Sequence, residues 1–174
     1  MTKLVHLLNW RLMKIRTNRN PVAQDTFRAI GIQDPFVCEI EDLGKHIEAG
    51  DCDGGEGIYS RIYPLGQDKV TKSVINTEHS LFLTTMIMRD DFWKTLSPEV
   101  RAVIKNAAIQ AGRKERETTI ADGLEARAKL IADGIEVHEL STEERAEFKS
   151  KTQAVYEKHE PTFSPGLIDK IKRA

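Results

Sequence analysis

With 174 residues, 40% of them hydrophobic and 30% charged, the sequence has the balance of a globular protein and enough chain for one good core. Its 26 basic and 27 acidic residues leave a formal net charge of −1, which argues against nucleic acid as a partner, since that binding draws on clustered Lys and Arg. No stretch nears the ~20 apolar residues of a membrane-spanning helix, and Cys38 and Cys52 make neither a disulfide framework nor a metal-ligand spacing.

The opening residues resemble a signal peptide only superficially. Their apolar run is broken by His6 and Asn9 and stops at Arg11, short of the ~7–15 apolar residues of an export signal, and no small-residue cleavage site follows. Charge is unevenly spread. Residues 1–20 carry Lys3, Arg11, Lys14, Arg16 and Arg19 with no acid, whereas residues 39–56 are acidic with Lys45 alone among them. A basic start of this kind is either a solvated face or an anion site.

In chain order, Met13 to Thr17 reads as a short strand. Pro21 to Ile30 carries Val22, Ala23, Phe27 and Ile30 at helical spacing, with Gly31 as the stop. Pro35 to Cys38 is a second strand. Asp42 caps a helix toward Ala49 that Gly50 ends. Asp51 to Gly54 leads into a third extended element, in which the glycines of Asp53-Gly54-Gly55-Glu56-Gly57 read as a turn needing positive φ. Ile58 to Leu65 is helical until Pro64 and Gly66 disturb it. Strand, helix, strand, helix, strand at this spacing predicts βαβ units and a largely parallel sheet.

Residues 70–89 read as extended. Leu81 to Met88 is almost continuously apolar and suits a strand buried on both faces, although a buried helix has the same pattern. Ser97-Pro98-Glu99 then starts a long helix, since Ser caps, Pro fits the first turn and Glu meets the positive dipole end. Val100, Val103, Ile104, Ala107, Ala108 and Ala111 form its apolar stripe, and Gly134 follows its end. Gly112 and Gly123, each costing about 1 kcal/mol relative to Ala, mark places for a bend. Ile135 to His138 is a short strand. Ser141 with Glu144 forms a capping box for a helix to about Lys158, and a last helix follows Ser164-Pro165.

Several motifs in this order carry a resemblance: Lys14-Ile15-Arg16-Thr17; Ala29-Ile30-Gly31; Ile47 to Glu56; Asp91-Phe92-Trp93 through Glu99; and Gly134-Ile135-Glu136-Val137. Together they resemble the solute-binding subunits of TRAP (tripartite ATP-independent periplasmic) transporters, of the C4-dicarboxylate-binding type, from Met13 almost to the end. The resemblance implies an α/β fold: a periplasmic-binding-protein type II-like lobe with a mostly parallel sheet, a long connecting strand and long C-terminal helices. The N-terminal lobe of the family is then missing. It divides the chain into an atypical extension at 1–12, a substrate-binding lobe at 13–89 that includes the interlobe strand, and a helical region at 90–174.

The same resemblance implies a binding protein rather than an enzyme, periplasmic, without metal or cofactor. It would capture a small organic acid for the membrane permease subunits of a TRAP transporter. The arginine of the family's K-[IL]-R motif falls on Arg16, and a guanidinium fork suits a carboxylate because it meets both oxygens and stays charged. Arg19 and Asn20 fall in the loop of secondary polar contacts. Asp53-Gly54-Gly55-Glu56-Gly57-Ile58 stands where the family shows D-G-Q-E-N-P, so Glu56 is kept and Gly57 replaces a substrate-holding asparagine. Ile40 falls where the family often puts a site-lining phenylalanine, and Thr77-Glu78-His79 resembles the T-N-H run, which puts His79 within reach of a ligand hydrogen bond. The alternative is a stand-alone α/β-helical interaction protein that forms homo-oligomers through apolar surface otherwise covered by the first lobe. A small hydrolase ranks third, because neither Cys38 nor Ser60 sits in a nucleophile motif with a histidine.

Overall fold

Asn20 lies in extended backbone, and its side-chain oxygen accepts a hydrogen bond from Val22 N at 2.8 Å. This cap starts α1 (Pro21–Ala29), with proline at the first helical position. The helix carries the chain from β1 (Ile15–Thr17) back to β2 (Phe36–Val37), and α2 (Leu43–Ala49) carries it on to β3 (Gly54–Gly55). The result is a parallel sheet in the order β2-β1-β3, as the alternation of strand and helix predicts. β1 is central, and Arg16 pairs with Phe36 on one side and Gly55 on the other. The computed structural model describes residues 7–173, so the opening six residues of the expected extension lie outside the described residues.

Two local expectations are corrected here. Asp42 precedes α2, but it closes a short 3-10 turn (Ile40–Asp42) in helical backbone, and its carboxylate accepts from Lys45 Nζ at 2.9 Å instead of capping. The glycines of β3 do not have positive φ; that conformation falls on Gly31, Gly50, Gly66, Gly134 and Gly166. Gly55 is needed for space. A Cβ there would stand 2.8 Å from Leu43 Cδ2 and 3.1 Å from Arg16 Cβ.

A second sheet joins segments far apart in sequence. β4 (Ser73–Asn76) pairs in parallel with β5 (Glu136–Glu139), in the register Ser73 to Glu136 through Asn76 to Glu139. α3 (Tyr59–Ile62) precedes β4, and α4 (Asp90–Thr95) and α5 (Pro98–Ala132) form the crossover between β4 and β5. α5 spans 35 residues, starts on Ser97 Oγ accepting from Val100 N, and passes Gly112 and Gly123 without a break. Nothing lies within 4 Å of where a Cβ would sit at either glycine, so the expected bends have no packing cause. Its first turn is tied to α4 by Arg101, which donates to the carbonyls of Leu96 and Lys94, and its C-terminal end is anchored to α3. Leu130 is fully buried, Tyr63 Oη donates to Asp133 at 2.6 Å, and Lys129 Nζ lies 3.7 Å from the centre of the Tyr63 ring. Val100 and Val103, the start of the predicted apolar stripe, are exposed.

The largest departure concerns residues 77–89. The segment forms no strand, and Leu81, Phe82, Leu83, Met86, Ile87 and Met88 are all exposed, Ile87 by 90%. An apolar, β-compatible run specifies a preference for a pleated, covered surface, but the cover must come from neighbouring strands and layers. The described residues supply none at this place.

The core lies between the first sheet and α6 (Thr142–His159). Trp10, Phe27, Ile30, Ile32, Leu140 and Phe148 form it, with Met13, Ile15 and Ile75 packed against it. α6 opens with the predicted capping box: Ser141 Oγ accepts from Glu144 N, and Glu144 accepts from Ser141 N. A short 3-10 turn (Glu160–Thr162) and α7 (Leu167–Lys172) close the chain.

An ion cluster pins the end of α6 to α1. Lys158 Nζ and His159 Nε2 both reach Asp25 Oδ2 at 2.7 Å, and Arg28 Nη1 reaches Oδ1 at 3.2 Å. The bond from Lys158, then that from His159, holds the Asp25 carboxyl at about 2 against a burial that opposes it. A depressed carboxylate stabilises the fold above its ordinary value near 3.8 and loses that contribution as pH falls through about 2. Allowing for the solvent that reaches Lys158, the contribution is roughly 1–2 kcal/mol. Asp25→Asn is expected to lower the melting temperature by about 2–8 °C at pH 7. Its melting temperature should also fall less than the parent's between pH 4 and pH 2. Parallel pH profiles for the two proteins would refute this.

Candidate functional site

The carboxyl side of the first sheet brings together three of the residues singled out by sequence. Arg16 is only 5% exposed on the central strand. Its Nε donates to the carbonyl of Cys38 at 2.8 Å, just beyond β2, which fixes the plane of the guanidinium. The two terminal nitrogens make no hydrogen bond or ion pair among the described residues. The side chain is buried along its length, but these nitrogens are not sealed off from solvent, so they are open to an entering anion.

Glu56 and His79 meet beside it. Thr17 Oγ1, on the strand residue after Arg16, donates to Glu56 Oε1 at 2.5 Å, and Asn18 N donates to the same oxygen at 3.1 Å. The other oxygen lies 3.2 Å from His79 Nε2, while His79 Nδ1 lies 2.7 Å from Thr77 Oγ1. Phe27 holds the imidazole edge to face, with ring centroids 5.4 Å apart. Burial pushes the Glu56 carboxyl up, but hydrogen bonds from His79, Thr17 and the Asn18 amide outweigh it, so the carboxyl sits below its ordinary value. Glu56 is therefore a satisfied anion that ties the exit of β1 to the exit of β4.

The remaining predicted residues are placed differently. Asn20 is engaged in capping α1. Arg19 is exposed and pairs with Glu39 at 3.3 Å. Gly57 and Ile40 are neighbours: a Cβ on Gly57 would be 3.9 Å from Ile40 Cδ1, and the Ile40 carbonyl accepts from Gln67 Nε2 at 2.9 Å. They form a wall without a polar side chain. Sequence reasoning missed Thr17 and Gly55. The first had no signal beyond its place after Arg16. The second was visible as a glycine pair, but its cause is the approach of Leu43 and Arg16.

Cys38 and Cys52 are both free thiols, and Cys52 is buried. Among the described residues no group of His, Cys, Asp and Glu is arranged to hold a metal ion, and no helix is long and apolar enough to cross a membrane. A hollow of about 460 Å³ lies at the other end of the sheet, against Lys14, Phe36 and Asp51 where the chain enters the strands. Open parallel sheets bind ligands outside the carboxyl ends of their strands, so the hollow is not the site.

Comparison with known proteins identifies the family and the fold. The family model described as bacterial extracellular solute-binding protein, family 7, matches residues 7–162. The C4-dicarboxylate-binding protein DctB of Bacillus subtilis is 27% identical over 164 residues, which cover 90% of this chain and 45% of that protein. The C4-dicarboxylate-binding periplasmic protein DctP of Rhodobacter capsulatus is 24% identical, with 93% of this chain and 49% of that one covered. The chain thus spans about half the length of these curated relatives. Among solved structures, the periplasmic ectoine-binding protein of the TeaABC TRAP transporter of Halomonas elongata superposes with a TM-score of 0.85 at 26% identity, over 93% of this chain and 53% of that one. A TRAP periplasmic solute-binding protein of Pseudomonas putida F1 with bound D-glucuronate superposes with a TM-score of 0.83 at 23% identity, over 98% and 54%.

Proposed function

The chain belongs to family 7 of the bacterial extracellular solute-binding proteins, the TRAP-transporter type, and on that premise we propose that it captures a small organic acid. In this reading it does so in the periplasm and delivers the acid to the membrane permease subunits of a TRAP transporter. The observation that carries the reading is the mostly buried Arg16 side chain, its guanidinium oriented through Nε and its terminal nitrogens without a carboxylate partner among the described residues. A ligand carboxylate supplies the missing charge and accepts from both terminal nitrogens.

The other residues then have distinct parts. Glu56, an anion engaged by Thr17, Asn18 and His79, holds the strand ends in place. His79 closes that side. Gly57 and Ile40 line the other side with no polar side chain, so ligand choice rests on the carboxylate and on fit. Arg19 reaches the ligand only by leaving Glu39. Carboxylate-bearing acids are the favoured class: one structural neighbour holds D-glucuronate, and two sequence relatives are C4-dicarboxylate-binding proteins.

Isothermal titration of the full chain with succinate, malate, D-glucuronate and sn-glycerol 3-phosphate tests this. Binding of at least one acid is expected, weakened by roughly 30-fold or more in Arg16→Ala, the cost of removing one partner of a desolvated charged pair. Arg16→Lys should recover little, because an ammonium lacks the planar fork. No heat with any of the acids, together with a stable dimer in sedimentation, overturns the reading. That outcome favours the interaction alternative, which the exposed apolar run at 81–88 supports.

A further inference from the structure

Glu78 is the one described residue other than glycine with positive φ, at 48°. A glutamate there is strained, because its Cβ crowds the following carbonyl, and such strain persists only when the surroundings hold it. The surroundings are visible. Arg145 Nη1, from the first turns of α6, lies 3.0 Å from Glu78 Oε2 and 3.5 Å from the carbonyl of Thr77. Thr77 N closes a tight turn onto the Ile75 carbonyl at 3.0 Å, and Asn76 Nδ2 reaches Glu78 Oε1 at 3.4 Å. The turn reverses the chain at the end of β4 and delivers His79 to Glu56.

We propose that Glu78 and Arg145 are positioning residues of the carboxylate site, acting through His79. Arg145 holds the strained turn, the turn aims His79 at Glu56, and Glu56 fixes Thr17 and Asn18 beside Arg16. The Arg145–Glu78 pair is half exposed, and exposed pairs add little to global stability. Its effect is therefore local and geometric, carried by a continuous chain of contacts from α6 to the end of β1. The assignment rests on the Arg16 reading for its meaning, but the coupling itself is measurable without a ligand.

The test is NMR on the full chain, reading the His79 ring nitrogens and the Asn18 amide. Arg145→Ala is expected to shift both and to speed exchange at Asn18 and at residues 77–79 by roughly 10-fold or more, as local opening does. Ile135, whose amide bonds the Leu130 carbonyl at the far end of α5, should not change. Arg145→Lys should restore the His79 and Asn18 signals in part. Glu78→Gly, which removes the strain and the ion pair together, should release His79 as Arg145→Ala does. Unchanged His79 and Asn18 signals in Arg145→Ala overturn the proposal, as does a change spread equally to Ile135. In a parallel titration with D-glucuronate, a fivefold or larger weakening in Arg145→Ala is expected, the lower end of typical coupling. Absence of binding by the unmodified chain counts against the Arg16 reading, while the Asn18 and His79 signals still decide the coupling.

Discussion

Trp10→Ala is expected to destabilise the protein by about 3–5 kcal/mol, the range for truncating a large aromatic in a core. Trp10 lies on a short 3-10 helix (Leu7–Leu12), in a segment whose sequence reads as an atypical extension. In the structure it is 7% exposed and meets Phe148 of α6 edge to face, with centroids 5.6 Å apart. It thereby seals the layer between the first sheet and α6, where Phe27, Ile30, Ile32 and Leu140 also converge. Leu12, on the same 3-10 helix, points to solvent and does not share that place. The loss is a large fraction of the roughly 5–15 kcal/mol that a domain commands. In urea it should move the midpoint down by roughly 1–3 M at an unchanged slope. Trp93 is the second tryptophan, so Trp93→Phe isolates the emission of Trp10 for the same titration. A Trp10→Ala midpoint within about 0.3 M of the parent would mean that the segment is dispensable after all, since surface substitutions cost that little.

What the sequence made legible was local. The capping box at Ser141, the Ser97-Pro98 start, the Gly31, Gly50 and Gly134 stops and the alternation behind the parallel β2-β1-β3 sheet all follow from signals within a few residues. What it hid depended on partners distant in the chain. β4 and β5 are four residues each and meet across sixty residues, and no pattern within either strand names the other. Leu81 to Met88 has strand chemistry but no ladder, because composition records a preference and not the presence of a neighbour. The site divides in the same way. Arg16, Glu56 and His79 were found as motif positions, and Glu56 touches both of the others, Arg16 through its amide and His79 through its carboxylate. Asn20 was read as a polar contact and is engaged in capping α1, a use its place before Pro21 also fits. The strain at Glu78 left no mark, because glutamate is not among the residues, such as glycine and asparagine, from which positive φ is inferred.

Gly55→Ala is expected to cost about 1–3 kcal/mol, the usual range for forcing an extra carbon into a packed place, and to lower the melting temperature by roughly 2–10 °C. The glycine lies in β3 opposite Arg16 on the central strand. A methyl there would sit 2.8 Å from Leu43 Cδ2 and 3.1 Å from both Leu43 Cδ1 and Arg16 Cβ. Leu43 is buried and cannot simply swing into solvent, and Arg16 Cβ is tied to the strand. One of them must yield. If Leu43 yields, Gly55→Ala should cost much less in a Leu43→Ala background than in the parent, a non-additivity expected for side chains in contact. If the strand yields, Arg16 moves relative to the Cys38 carbonyl that orients it, and acid binding falls more than stability does, since a charged fork works only in register with its partner. Gly54→Ala is the control. Its methyl would meet only Ile15 Cδ1 at 3.6 Å, an ordinary contact, so its cost should stay within about 0.5 kcal/mol. Equal effects at the two glycines would remove the steric argument and return the pair to a matter of backbone freedom. Unequal effects, larger at Gly55, would tie the second glycine of Asp53-Gly54-Gly55-Glu56 to the arginine across from it, which no inspection of the motif by itself could do.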